Sequence, residues 1–274
     1  MEKINREQFL HEYKLKSKIR SLFEQYKLFV NNPELRLPEP KIFYHPPQNE
    51  IDWAPSQVLL PDISGKPLRF ETERFNLERF GKGVDAHYFH EFTHILDYYE
   101  WKPILTFDEL RTYTHLYSDF HATEIQMKKA TGFLSADENK TVHPNDVILI
   151  DKDSTSIEEY VKTITPYYQY LISKKIDRYN KAKSYNGITA LFFDLIMDSM
   201  YYYGRVNFLS KHYSGNYSGI INTSLYVREL GEDLIGILKA MSEQPIDKHL
   251  LSFVRYGYEV IRDKFHIKYN SEPI

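Results

Sequence analysis

The residues best suited to chemistry in this sequence are His90, Glu91 and His94, which stand in the pattern His-Glu-Phe-Thr-His. On an α-helix, residues four apart lie on the same face, so His90 and His94 can direct two imidazoles at one metal ion. Glu91 is one position further on. Its carboxylate would lie beside the ion and act as the general base that activates a zinc-bound water. The spacing therefore predicts two metal ligands and a general base within five residues.

The segment that carries this pattern favours a helix. The fifteen residues 86–100 contain neither Gly nor Pro, Asp85 is a suitable N-cap, and Pro103 follows. His87 lies three residues before His90 and can face the same site. An apolar stripe at helical spacing predicts that one side of this helix is buried: Phe89, Phe92, Leu96 and Tyr99.

A catalytic zinc site needs a third protein ligand and an open position for water. The next predicted helix, residues 107–130, offers Asp119 and Glu124. They are five residues apart, about 140° around a helix, so both cannot bind one ion. Glu124 would lie on an apolar face or pair with Lys128 four residues on. Asp119 shares its face with the small Ala122, which would let another helix approach. The residues alone leave both acids open as the third ligand.

Composition limits the class of site and the partners. The chain has 274 residues and no Cys, so thiolate ligands and disulfides are excluded and a His/carboxylate site remains. The net charge of −3 gives no general attraction to nucleic acid or to an anionic membrane. The first residues are polar and unlike a signal peptide. The most apolar run, 188–204, is interrupted by Asp194 and Asp198, which predicts a buried helix. We expect a cytoplasmic protein.

The remaining pattern predicts an α+β fold that is mostly α. Alternating and Pro-bounded segments predict a small sheet ahead of the metal helix, and its third strand should be half-exposed because apolar and charged residues alternate there. We predict a metal-binding domain over 1–135 and a helical C-terminal domain over 156–274, packed on the first. The predicted helices cover 6–30, 107–130, 156 onward with a kink at Pro166, 188–213 after a turn at Asn186-Gly187, 224–241 and 247–265; the strands cover 41–44, 58–60, 68–75 and 147–150.

The segment from Met200 to Arg205 is rich in Tyr and admits two interpretations. One of its Tyr or Arg side chains could stabilise an oxyanion in a hydrolytic reaction. The simpler interpretation is that the tyrosines pack in the core and Arg205 pairs with an acid. We expect the second.

Two motifs of the sequence resemble a known family. The segments HEFTH and SDFHA, with 24 residues between His94 and Asp119, resemble the ImmA/IrrE-type metallopeptidases of bacteria, phages and integrative elements. That family carries H-E-x-x-H on one helix and E-x-x-A on the next. The resemblance covers roughly residues 40–130. It implies a gluzincin-like, zincin-like core made of a small sheet, the HExxH helix and a third-ligand helix.

Carried over residue by residue, the resemblance makes His90 and His94 zinc ligands and Glu91 the general base. Asp119 stands where the family has Glu as third ligand, and Ala122 matches the family Ala. The resemblance thus favours Asp119 over Glu124, with a shorter acid than the family uses.

These motifs predict the function in two forms. In the first, the protein is a zinc metallo-endopeptidase, a hydrolase that cleaves a regulatory protein such as a transcriptional repressor. The resemblance implies this substrate class. In the second, it is a non-catalytic zincin-like scaffold that binds and sequesters a partner protein. An intact Glu91 favours the enzyme, because a purely structural metal site has no need of a general base.

Overall fold

The computed structural model describes residues 6–43, 56–61, 66–73, 81–106, 109–110, 114–150, 152–182, 185–244 and 247–271. Over these residues the chain is α+β and mostly helical, which confirms the predicted class. Within these ranges, every helix is either too short or too polar to be a candidate membrane span. The helices are α1 Arg6–Phe29, α2 Val84–Trp101, α3 Thr114–Ala130, α4 Ile157–Ala182, α5 Tyr185–His212, α6 Val227–Leu230, α7 Asp233–Glu243 and α8 Lys248–Ser271; the strands are β1 Lys41–Phe43, β2 Ser56–Leu59, β3 Arg69–Glu73, β4 Val147–Ile148 and β5 Thr155–Ser156.

The chain separates into two compact units. The first unit consists of Met1–Glu100, Ile125–Lys140 and Val147–Thr155. The second unit consists of Trp101–Glu124, Thr141–Asp146 and Ser156–Ile274.

The first unit contains the predicted small sheet. Its strand order is β1-β3-β2, with β1 parallel and β2 antiparallel to the central β3. Helix α1 contributes an aromatic layer to α2, in which Phe23 and Phe92 have ring centroids 5.0 Å apart and Tyr26 and Phe89 have centroids 5.2 Å apart, both edge to face. Such pairs add specific geometry to the burial of large apolar rings.

The central strand corrects one prediction. Alternation in residues 68–75 predicted a half-exposed strand, but Phe70, Glu71, Thr72 and Glu73 are all buried. The charged positions are covered because β3 has a neighbour on each side. The Glu71 carboxylate accepts hydrogen bonds from Lys41 and Gln57 on the two flanking strands. A buried charge with such partners is tolerated, and alternation alone does not reveal it.

Several local signals are confirmed. Thr106 and Glu109 form the predicted capping box, with the Thr106 backbone N–H donating to Glu109 Oε2 at 2.8 Å and the Glu109 N–H donating to Thr106 Oγ1 at 3.4 Å. Gly132, the predicted residue after α3, has a φ of 78°, a conformation that favours glycine. The predicted helix starts and strand ends at Asn5, Tyr44, Phe75 and Phe107 lie outside the described residues.

Other local predictions, about helix boundaries and the burial of one side chain, are wrong. Helix α2 begins at Val84, so Asp85 lies in its first turn, where it pairs with Lys18 at 3.0 Å. Tyr99 was expected to be buried but is 39% exposed. Residues 186–187 belong to α5 and not to a turn. The predicted helix 224–241 is split into α6 and α7 at Gly231, whose φ is 94°.

The second unit is built around α5. Phe192 packs on Tyr258 and Phe265 of α8, with ring centroids 5.3 Å apart in each pair. Tyr202 and Tyr203 are buried, as the core interpretation of this segment predicted. Their hydroxyls donate to the backbone carbonyls of Asn222 and Thr223 at 2.7 and 3.0 Å, which holds the chain before α6 against α5.

Candidate metal centre

Helix α2 is fixed on one side by α1. The Tyr26 hydroxyl donates to Thr93 Oγ1 at 3.1 Å, and Thr93 Oγ1 donates to the Phe89 carbonyl one turn earlier. Burial raises the pKa of Tyr26 well above its ordinary value, so this hydroxyl stays protonated and able to donate. The contact sets the rotation of α2 about its own axis, and that rotation decides where His90 and His94 point.

A second polar chain joins α2 to the sheet. Ser56 Oγ lies 2.9 Å from His87 Nε2 and 3.2 Å from Thr72 Oγ1, and Thr72 Oγ1 lies 3.2 Å from the Tyr88 hydroxyl. All four residues are buried. Sequence analysis raised the possibility that His87 faces the metal site. The structure places His87 in this series of polar contacts, beside Ser56, and outside the metal-binding group of the described residues. The positions of Ser56 and Thr72 carried no local signal that could have identified them.

The structure brings together His90, His94 and Asp119. One ligand atom from each of the three residues lies within 4.8 Å of the other two. The two imidazoles have ring centroids 4.9 Å apart at 84° to each other. His90 and Asp119 are 3% and 4% exposed, and His94 is partly buried. Metal bonds from these residue types are about 2.0–2.2 Å long, so small side-chain rotations would let one ion contact all three atoms.

The chemistry of the three donors narrows the kind of ion. Two imidazole nitrogens and one carboxylate oxygen form a set that zinc accepts, and that leaves a fourth position of a tetrahedral ion for water. The same donors also suit other first-row divalent ions, whose choice depends on geometry and supply. The group can therefore hold a metal ion, and its residues fit zinc.

Glu124, the alternative third ligand, is engaged elsewhere. Asn207 Nδ2 donates to Glu124 Oε2 at 2.8 Å, and Lys211 Nζ lies 3.4 Å from Glu124 Oε1. Among the described residues it is not part of the metal-binding group. The alternative pairing of Glu124 with Lys128 is not formed, and Lys128 Nζ donates instead to the Ala136 carbonyl. These partners of Glu124 lie 83 and 87 positions away along the chain, so spacing within one helix cannot predict them.

Helix α3, which carries Asp119, is held by a close approach of α5. A Cβ atom built on Gly204 would lie 2.8 Å from the Phe120 carbonyl oxygen and 2.8 Å from Thr123 Cβ. Only a residue without a side chain fits there. The sequence predicted that small Ala122 would admit another helix. Ala122 is indeed fully buried, but the residue that permits this contact is Gly204.

Glu91 is buried and follows His90 directly on α2. It is 6% exposed, so its carboxylate is held in a largely dry environment. An acid in such surroundings needs polar or cationic neighbours. Its position beside the two histidines meets the sequence requirement for a general base.

Arg205 contradicts its predicted pairing. It was expected to pair with an acid, but Nε donates to the Tyr160 hydroxyl, and Nη1 donates to the Tyr168 hydroxyl and the Tyr201 carbonyl, each at 2.8 Å.

Comparisons of the chain with protein-family models, with curated proteins and with solved structures found no match. The resemblance to ImmA/IrrE-type metallopeptidases therefore depends on the two motifs alone.

Proposed function

We propose that the protein is a zinc-dependent metallo-endopeptidase that cleaves a regulatory protein, with a zincin-like core of the ImmA/IrrE type. The observation that carries the proposal is the group of His90, His94 and Asp119, with their ligand atoms within 4.8 Å of one another. Glu91, adjacent to His90, supplies the acid–base group that hydrolysis of a peptide bond needs.

When bound, zinc supplies Lewis acidity, which polarises a carbonyl group and makes a water molecule a better nucleophile at neutral pH. The residues of the chain provide the rest. His90, His94 and Asp119 hold the ion. Glu91 takes a proton from the attacking water and passes it to the leaving amine, which would otherwise depart as an unstable anion.

We expect the substrate to be a protein or peptide, with a transcriptional repressor as the class that the family resemblance suggests. The net charge of −3 argues against direct binding of nucleic acid. The cytoplasm is the expected site of action.

One observation favours the alternative, a non-catalytic scaffold that sequesters its partner. His90, Glu91 and Asp119 are each at most 6% exposed, and a structural metal site is usually closed in this way. A catalytic site must admit a peptide, so the enzyme must expose its metal-binding group when substrate binds.

The substitution Glu91→Gln separates the two functions. It preserves the size of the side chain but removes a group that can accept a proton at neutral pH. In a cell that carries the natural target, cleavage by the wild type should generate new termini of the target protein. Their abundance, measured by terminal-peptide mass spectrometry, should be about 10²–10⁴-fold lower with the Glu91→Gln variant. Metal content and thermal unfolding should remain as in the wild type.

The matched control is Glu100→Gln, which makes the same change on an exposed position of α2. It should leave cleavage unchanged. A target that stays full length in the presence of wild type, together with an unchanged downstream response in Glu91→Gln, would refute the peptidase and support the scaffold.

A further inference from the structure

Arg205 is a partly buried cation that forms no ion pair with an acid among the described residues. Its hydrogen bonds to described residues go to the hydroxyls of Tyr160 and Tyr168 and to the Tyr201 carbonyl, all at 2.8 Å. Among the residues that the structure describes, no carboxylate oxygen lies within 4 Å of its guanidinium. Neutral acceptors satisfy individual N–H groups but leave the positive charge uncompensated. A cation is normally buried with a counter-charge.

The acids on the same helix are already paired. Lys175 Nζ lies 2.6 Å from Asp198 Oδ2, and Arg178 Nη2 lies 2.6 Å from Asp194 Oδ2. These two pairs are each neutral. The group formed by Arg205, its tyrosines and the Lys175–Asp198 pair therefore carries a net charge of about +1 at neutral pH. Burial raises the pKa of Tyr168, so its hydroxyl is not ionised and cannot supply the missing negative charge.

Arg205, Tyr168 and Tyr226 each have a hydrogen-bond donor without an acceptor among the described residues. Arg205 Nη2 donates to no described residue, and it is not sealed from solvent. The Tyr168 hydroxyl accepts from Arg205, so its own proton remains available, and no described residue accepts it. Tyr226, whose ring centroid is 6.3 Å from that of Tyr168, has a fully buried hydroxyl with no hydrogen-bond partner in the described part of the chain.

A purely structural role explains only part of this arrangement. Nε and Nη1 join α4 to α5 through Tyr160 and Tyr168, and this link would account for those two nitrogens. It does not account for the uncompensated charge or for the buried Tyr226 hydroxyl, which has no hydrogen-bond partner among the described residues. Leaving that buried hydroxyl unsatisfied costs free energy, so the hydroxyl and the uncompensated charge together indicate an absent acceptor that carries negative charge.

We propose that Arg205, Tyr168 and Tyr226 form a binding site for a carboxylate group of a small ligand. A carboxylate has two acceptor oxygens and a single negative charge, which match the donors and the net charge of about +1. A phosphate dianion would leave the group with an excess negative charge. The site lies within the second unit, and its existence does not depend on the proposed peptidase function.

The test uses acetate as the probe and isothermal titration calorimetry of the full-length protein, with chloride as the other anion at constant ionic strength. The wild type should bind acetate saturably with a stoichiometry of about one, and acetate should raise the midpoint of thermal unfolding in step with occupancy. Arg205→Gln should lose this binding. Arg178→Gln, which removes an exposed positive charge from the same unit, should retain it.

Tyr168→Phe decides the matter if Arg205→Gln does not fold, because it keeps the guanidinium and removes one donor. It should bind acetate at least about fivefold more weakly than wild type, the typical effect of one neutral hydrogen bond. Three results would overturn the proposal: no saturable acetate binding by the wild type, unchanged affinity in folded Arg205→Gln or Tyr168→Phe, or saturable binding of inorganic phosphate without binding of acetate.

Discussion

Helices α2 and α5 both bury polar side chains, but they obtain their partners in different ways. On α2, His90 and His94 are four residues apart, so the helix itself places two imidazoles together. On α5, Arg205 binds Tyr160 and Tyr168, which are 45 and 37 residues away along the chain. The first arrangement is a local pattern that five consecutive residues, 90–94, are enough to predict. The second exists only after two helices pack, and no local pattern predicts it.

The difference also separates the members of the metal-binding group. His90 and His94 depend on one turn of helix, whereas Asp119 depends on the packing of a second helix. The substitutions below test this division, starting with the largest expected effect.

Asp119→Ala should weaken zinc binding by more than about 100-fold, because it removes one of three protein ligands. Glu124→Ala should change the affinity by no more than a few-fold, because Glu124 is engaged by Asn207 and Lys211. Competition with a chromogenic chelator measures both, with His90→Ala as the reference for loss of a ligand. A larger loss in Glu124→Ala than in Asp119→Ala would contradict the assignment of the third ligand.

Gly204→Ala should destabilise the protein by about 1–3 kcal/mol, since the new Cβ atom would lie 2.8 Å from the Phe120 carbonyl oxygen. Chemical denaturation measures the change. The contact is next to Asp119 in the sequence, so zinc affinity should also fall, while the local pair His90 and His94 remains intact.

Gly236→Ala is the control for that substitution, because nothing lies within 4 Å of a Cβ atom at this exposed helical position. It should stabilise the protein by about 0.5–1 kcal/mol through helix propensity. Equal effects at the two glycines would show that α5 does not approach α3 as closely as the structure has it.

Glu229→Gln tests a long-range polar contact that is smaller in effect. Lys268 Nζ and the Tyr269 hydroxyl donate to Glu229 Oε2 at 2.9 and 2.8 Å. Burial by itself would raise the pKa of Glu229, but these hydrogen bonds outweigh it and hold the pKa below its ordinary value of 4.5. The ionised form is therefore the stabilising one, and the variant should lose roughly 1–2 kcal/mol at pH 7.

The pH dependence gives the sign of this contribution. A lowered pKa in the folded state means that the contribution is complete above the ordinary pKa and disappears as the pH falls through the folded-state value. The wild type and Glu229→Gln should therefore converge in acid, as followed by urea denaturation at a series of pH values. Glu259→Gln, which breaks an exposed pair with Arg255 at 3.5 Å, should cost less than about 0.5 kcal/mol. A constant difference between wild type and Glu229→Gln at all pH values would contradict the assignment.

The sequence by itself determined the features that short-range physics controls. The helical spacing of His90 and His94, the absence of Gly and Pro from 86–100, the capping box at Thr106 and the turn at Gly132 each involve neighbours within a few residues. So do the α+β class and the position of the small sheet, because hydrophobic periodicity is local. The proximity of Asp119 to both histidines agrees with the choice that the family resemblance favoured.

Only the tertiary structure decided where the buried polar groups found their partners. The hydrogen bonds of Glu71 with Lys41 and Gln57, of His87 with Ser56 and of Glu124 with Asn207 all join residues more than ten positions apart. The hydroxyl partners of Arg205 and the need for glycine at position 204 are of the same kind. The free energy of a buried polar group depends on which distant donor or acceptor reaches it, and a chain reveals that only when it is folded.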